Sequence, residues 1–478
     1  MANYSKLNHI NVGSHGTFKK SGNLHTKPSD IDAIFQHLTD SQASKLVVHF
    51  HGGLVNEGKG EAISRSMHTL YHDVAHPVTF IWEAGFIETV SRNLSSLADT
   101  KLFQKVVKYV IRRAASKLGG GIGDKGSGEE MSIREIEAEL ARTQAFDRFD
   151  AGARGAAGVL DEAELDAIES EIQAEVELDL ADDAEIDSIL ETEPPITDLL
   201  TSEFKAGSGQ QQKGLISTGT LAIHITKIVY RVIKRFIRKR DHGFYPTIVE
   251  ETLRQLYLAD LGKWVWSGMK EIADSMWDEN TLPLGDDDHP GRYFLEKLTA
   301  HQQANPDFII DLVGHSAGSI AICHMQRTAR ASFPGLKIRN ISFLAPACTQ
   351  NLFRKEIVAH PDEYEHFRMF TMQNDLETRD ELVPKVYTRS LLYFISGVLE
   401  DEVDKVIAGL ELQLRGEKPY NDATHMEVHQ FVNAAGLNQL VLSQTTDAPP
   451  GLNSESTSHG GFDDDPTTRQ SLKALLID

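Results

Sequence analysis

Apolar residues fall along this chain in two rhythms. The first is short continuous runs: Lys45-Leu46-Val47-Val48-His49-Phe50, Pro77 to Trp82, Phe308 to Val313, Ile338 to Leu344, His366 to Met372 and Gln439 to Leu442. Runs of this length, rich in β-branched and aromatic residues, predict strands buried on both faces. Between them lie segments of helical period, at 61–75, 87–98 and 466–476. Strands alternating with helices predict a parallel sheet covered on both sides, an α/β fold. The second rhythm fills roughly 100 to 285, where only helical spacing occurs. We expect a helical insertion at 101–285 between a first core segment, 1–100, and a second, 286–478.

Inside the insertion, two stretches carry opposite charge. Residues 155–204 contain no Lys or Arg, yet Leu165, Ile168, Ile172 and Val176 keep helical spacing. Residues 221–240 carry Arg231, Lys234, Arg235 and Arg238 beside an apolar stripe of Ile225, Ile228, Val229, Val232, Ile233 and Phe236. Such a helix either lies on an anionic membrane surface as a peripheral contact, or packs its stripe on the sheet domain with its basic face toward the acidic helix. The second arrangement is the more economical expectation. Trp264, Trp266, Met269, Ile272, Met276 and Trp277 form a further apolar cluster, read as core or as a lid. Gly121 to Gly126 spells G-x-G-x-x-G, but it follows a helix instead of a strand and reads as a linker.

Composition narrows the function. A formal charge of −22 over 478 residues excludes nucleic acid as the main partner. The two cysteines, Cys323 and Cys348, cannot make a disulfide framework and read as buried reduced thiols. No run of 18 apolar residues occurs, and the first residues lack a signal-peptide stretch, so a cytoplasmic protein is expected.

The chemistry is concentrated at Asp307 to Gly318, DFIIDLVGHSAG. An apolar run enters Gly314-His315-Ser316-Ala317-Gly318, and an apolar helical segment leaves it. Strand, G-x-S-x-G, helix is the context in which a strained turn lifts a serine hydroxyl above a sheet. Acyl transfer then needs a base, a group to orient it and donors for the oxyanion. Gly53, in the His51-Gly52-Gly53 turn after a strand, and Ala317 are the expected oxyanion donors. Asp375, three residues past a strand end, is the expected orienting acid, with Asp380 its competitor. His459, on the loop between the last strand and last helix, is the expected base, ahead of His425 and His429. His49 and His51 have no third ligand nearby, so no metal is expected, and no cofactor. In Asp463-Asp464-Asp465, helix capping suffices as an explanation without calcium.

With Ser316, Asp375 and His459 in that order and a His-Gly-Gly turn upstream, residues 1–100 and 290–478 resemble the alpha/beta-hydrolase superfamily, in its lipase/esterase-like branch. The resemblance implies a mostly parallel eight-stranded sheet, with the HGG turn after the third core strand, GHSAG after the fifth, Asp375 after the seventh and His459 after the eighth. It implies hydrolysis of carboxylic esters through an acyl-enzyme, on a small-molecule or lipid ester substrate. An amidase or thioesterase would use the same residues. An interaction protein built on the scaffold is the other class of function.

Overall fold

The computed structural model describes residues 4–52, 57–82, 86–119, 130–157, 162–192, 217–257 and 261–477. Its sheet has seven strands: β1 (His9–Val12), β2 (Lys45–Phe50), β3 (His76–Trp82), β4 (Ile309–His315), β5 (Ile338–Leu344), β6 (Tyr364–Met372) and β7 (Leu440–Ser443). Their order is β1-β3-β2-β4-β5-β6-β7, and every pairing is parallel. The fold class is therefore α/β, as the strand-helix alternation implies.

The expected eight strands are corrected to seven among the described residues. Ahead of β2 the chain contributes a single strand, β1, paired with β3 at His9↔Thr79. The serine motif thus follows the fourth strand, Asp375 the sixth and His459 the seventh. Neither β1 nor the helix Pro28–Asp40 is among the predicted elements. The helix has a readable signal: Pro28 opens it, and Ile31, Ile34, Phe35 and Leu38 form one buried stripe. β1 has only four residues, His-Ile-Asn-Val, too short for periodicity to single out.

β2, β3 and β4 are buried along almost their whole length, which is why they read as unbroken apolar runs. Phe50 stacks on Phe80 at 4.8 Å, and Trp277 packs on both, at 5.9 and 5.7 Å. Trp277, Trp266, Met269 and Met276 are all buried, so this part of the apolar cluster is core. The side chain of Trp264 lies outside the described residues.

The chain divides into two compact units. One joins residues 1–88, 265–377 and 406–478; the other joins 89–264 and 378–405. The helical unit therefore begins and ends earlier than the expected 101–285, and it takes a piece of the C-terminal half. That piece belongs there by packing: Tyr387 donates to Glu250 at 2.5 Å, and the Tyr393 ring meets His242 edge-on at 4.7 Å.

Within the helical unit, the basic helix Thr218–Ile237 packs against the helices Glu162–Ala181, Lys101–Lys117 and Phe244–Leu256. Its stripe from Leu221 to Phe236 is buried there. Lys101–Lys117 also supplies cations to the acidic helix Glu162–Ala181. Arg113 binds Asp179 and lies 3.1 Å from Glu175, and Lys117 reaches Glu171 and Glu175 at 3.0 and 3.1 Å. Gly121 to Gly126 lies outside the described residues. Among the described residues no helix is long and apolar enough to cross a membrane.

Candidate active site

The strand order reverses between β2 and β4. The chain leaves β2 toward β3 on one side and leaves β4 toward β5 on the other. In open parallel sheets, the crevice at the carboxyl ends of such strands is where ligands bind. Phe50 and Gly314 are register partners, so His51-Gly52 and His315-Ser316 leave the sheet side by side. A Cβ placed on Gly52 would sit 3.4 Å from the Ser316 Cβ.

Ser316 has φ 51°, in the left-handed region that non-glycine residues rarely occupy. The turn is held from several directions. Ser316 N–H donates to Leu344 O at 2.8 Å, and Ser316 O accepts from Ser319 Oγ at 2.6 Å and from Ala347 N at 3.1 Å. The flanking glycines are steric necessities. A Cβ on Gly318 would lie 2.1 Å from Phe50 O, and one on Gly314 would lie 2.8 Å from Gly318 C. The G-x-S-x-G spacing is thus required by the close passage of β4, its helix Gly318–Ser332 and β2.

The strained turn aims Ser316 Oγ at His459 Nε2, 2.9 Å away. His459 opens a short 3-10 turn, His459–Gly461, between β7 and the helix Pro466–Ile477. Ser316 is 1% exposed and His459 3%, so the dyad is covered. Burial, then the neighbouring His315 charge, lower the His459 pKa to about 3; the imidazole is neutral and its Nε2 can accept the serine proton.

Ala317 precedes the first residue of the helix Gly318–Ser332, and its N–H has no acceptor among the described residues. It sits at the positive end of that helix, as an oxyanion donor should. Gly53, the other expected donor, lies outside the described residues. His51 holds the turn: its Nδ1 donates to Gly52 O at 2.6 Å, and its Nε2 accepts from Trp82 N at 3.2 Å. Those partners define a neutral ring, and burial lowers its pKa to about 4.

Two residues of this cluster carry no expected part in the chemistry, Asp463 being expected only to cap a helix. His315, between Gly314 and Ser316, places its Nε2 2.9 Å from His459 O and its Nδ1 2.7 Å from Asp463 Oδ2. Asp463 is buried; its other oxygen faces His49 Nε2 at 3.7 Å. Burial alone would raise the Asp463 pKa, but His315 and the nearby His49 and His51 hold it well below the usual carboxylate range. Capping accounts for Asp465, which accepts from Thr468 N at 2.8 Å, but not for Asp463. No local signal in the sequence marks Asp463, because its partner His315 lies 148 positions away.

Asp375 lies on the short helix Asn374–Glu377 after β6 and is exposed; Asp380 is half-buried. The carboxylate inside the dyad's own buried cluster is Asp463. His425 and His429 lie on the helix Ala423–Val432, where the His429 ring bonds Leu414 O at 2.8 Å. Among the described residues no three His, Cys, Asp or Glu are arranged to hold a metal ion. Compared with protein-family models, with curated proteins and with solved structures, the chain matches none.

Proposed function

We propose that this chain is a serine hydrolase that cleaves carboxylic esters through an acyl-enzyme. One observation carries the reading: a serine held at φ 51° at the head of a helix, with its Oγ 2.9 Å from a neutral buried imidazole. Strain at a single polar residue, at the crevice where strand order reverses, is the mark of a functional turn.

Ser316 attacks the acyl carbonyl while His459 Nε2 takes its proton. The developing oxyanion is met by the Ala317 N–H, with Gly53 the second expected donor. His459 then protonates the leaving alcohol, which departs. Water, deprotonated by the same imidazole, releases the acid and restores Ser316. Lipid-like acyl esters are the favoured substrate class, from the type of serine motif. Amides and thioesters would pass through the same steps.

The test is covalent labelling with a small alkyl fluorophosphonate, chosen because Ser316 is 1% exposed. Wild type should be labelled at Ser316 and should hydrolyse short p-nitrophenyl esters; Ser316→Ala should do neither. A folded wild type that is neither labelled nor active would leave the non-catalytic scaffold as the better reading.

A further inference from the structure

We infer that His315 and Asp463 are positioning residues: His315, clamped by Asp463, grips the main-chain carbonyl of His459 and so sets that base against Ser316. This deepens the serine-hydrolase reading and rests on it.

The argument starts from donors and acceptors. A peptide carbonyl only accepts, so the 2.9 Å contact to His459 O requires a proton on His315 Nε2. The carboxylate of Asp463, 2.7 Å from Nδ1, takes the other N–H. His315 therefore uses both ring nitrogens as donors, as an imidazolium does, and Asp463 supplies the counter-charge it needs in a buried site.

The contacts close a ring. His315 and Ser316 are chain neighbours on the end of β4; His459 and Asp463 lie four residues apart on one turn. Ser316 meets His459 through a side chain, and His315 grips the same turn twice, at His459 O and at Asp463. One side of the ring is fixed by the sheet, since His315 is in register with Leu344. The other side is a loop that would otherwise set the Oγ–Nε2 distance only loosely. A misplacement of about 1 Å at such a distance can cost on the order of 10² in rate.

Two ordered replacements separate this role from packing. The amide nitrogen of Gln at 315 reaches as far as Nε2 and keeps the bond to His459 O. The shorter Asn keeps only the Nδ1 side. With a p-nitrophenyl ester, His315→Asn and Asp463→Asn should lower kcat on the order of 10² with KM little changed. His315→Gln should recover most of kcat, and the exposed neighbour Asp464→Asn should cost nothing measurable.

A second readout follows from charge. The groups facing His315 are Asp463 and the exposed Asp464, which favour its charged form, with the rings of His459, His49 and His51 close by and Arg469 donating to Asp463 O at 3.3 Å. Burial opposes the charge, but the acids outweigh it and raise the His315 pKa. Deprotonation removes a donor, so kcat should fall as pH rises through that pKa, and this alkaline limb should vanish in His315→Gln.

Equal losses in His315→Gln and His315→Asn, or Asp463→Asn behaving as Asp464→Asn does, would overturn the inference while leaving wild-type hydrolysis untouched. If His315→Asn does not fold, the Asp463 and Asp464 pair decides. If wild type shows no hydrolysis, the hydrolase reading fails separately. The clamp is then read by proton NMR, as a low-field imidazole N–H resonance kept in Ser316→Ala and Asp464→Asn and lost in Asp463→Asn. Absence of that resonance from wild type would sink the clamp itself.

Discussion

Each unit of this protein buries a histidine between two fixed acceptors, and the two sites differ in what they hold. In the sheet unit, His315 spans one carboxylate and one peptide carbonyl, and the carbonyl belongs to a second, neutral histidine aimed at a strained serine. In the helical unit, His242 spans two carboxylates, Glu250 at 2.8 Å and Asp404 at 3.0 Å. Arg235 adds pairs to Glu250 at 2.6 Å and Glu251 at 3.3 Å, and Arg240 pairs with Asp404 at 3.1 Å. Three cations there face three carboxylates. The helical network ties the helices Thr218–Ile237 and Phe244–Leu256 to the 378–405 segment; it too includes a left-handed residue, Asp404 at φ 54°, and the Tyr387 hydroxyl, but no serine–histidine contact. Buried charge in the two units therefore meets different neighbours: one network joins packed helices to a distant segment, the other lies against a serine–histidine contact.

The sharpest way to break that contrast is Ser316→Ala. The expected loss of ester turnover is on the order of 10⁶, by analogy with removing the nucleophile of a known serine hydrolase, with thermal stability little changed because alanine keeps the same left-handed turn. Retention of most activity would place the chemistry elsewhere.

Arg235→Met tests the other network. It leaves Glu250 and Glu251 buried against fewer cations, and breaking a buried pair in this way costs about 3–5 kcal/mol. Urea denaturation should show that loss, while the rate of fluorophosphonate labelling at Ser316 under native conditions stays as in wild type. A fall in labelling would show that the two networks are not separate.

Next is the acid. Asp463→Asn should slow turnover on the order of 10², and the exposed Asp375→Asn and the half-buried Asp380→Asn should cost less. A loss of about 10⁴ at Asp375 is the size expected of a triad acid and would return the orienting role to the strand-end position.

The smallest effects are in pH, and the charged His242 and the neutral His459 should respond with opposite signs. Burial disfavours charge on His242, but Glu250 and Asp404 outweigh it and raise its pKa. Its contribution is complete below the unfolded value of about 6.5 and is lost as pH rises through the folded pKa. Burial would raise Glu250, but His242 and Arg235 bring it to about 2, so its contribution is present above the unfolded value of about 4.3 and is lost as pH falls toward 2. The helical network should be strongest between those unfolded values. His459 behaves in reverse. Its pKa is lowered to about 3, so the folded state resists protonation and loses stability as pH falls below about 6.5. For the same reason the acid limb of kcat/KM should lie well below pH 6.5. An inflection near 6.5 would mean that His459 is less shielded in solution.

Much of this was legible in the chain because it is local. Continuous apolar runs marked six of the seven strands, since a strand buried on both faces leaves no room for polar alternation. The G-x-S-x-G spacing announced a serine turn, since no side chain fits where Phe50 O and Gly318 press on the flanking glycines. A histidine between last strand and last helix could be singled out by position alone. Tertiary structure decided what depends on partners distant in sequence. It drew the unit boundary through 378–405 because those residues meet His242 and Glu250. It brought Arg113 and Lys117 to the acidic helix, since nothing in a charge run says which distant cations will pair with it. It gave His315 and Asp463 to each other across 148 positions, a pairing that exists only once β4 and the final loop are side by side.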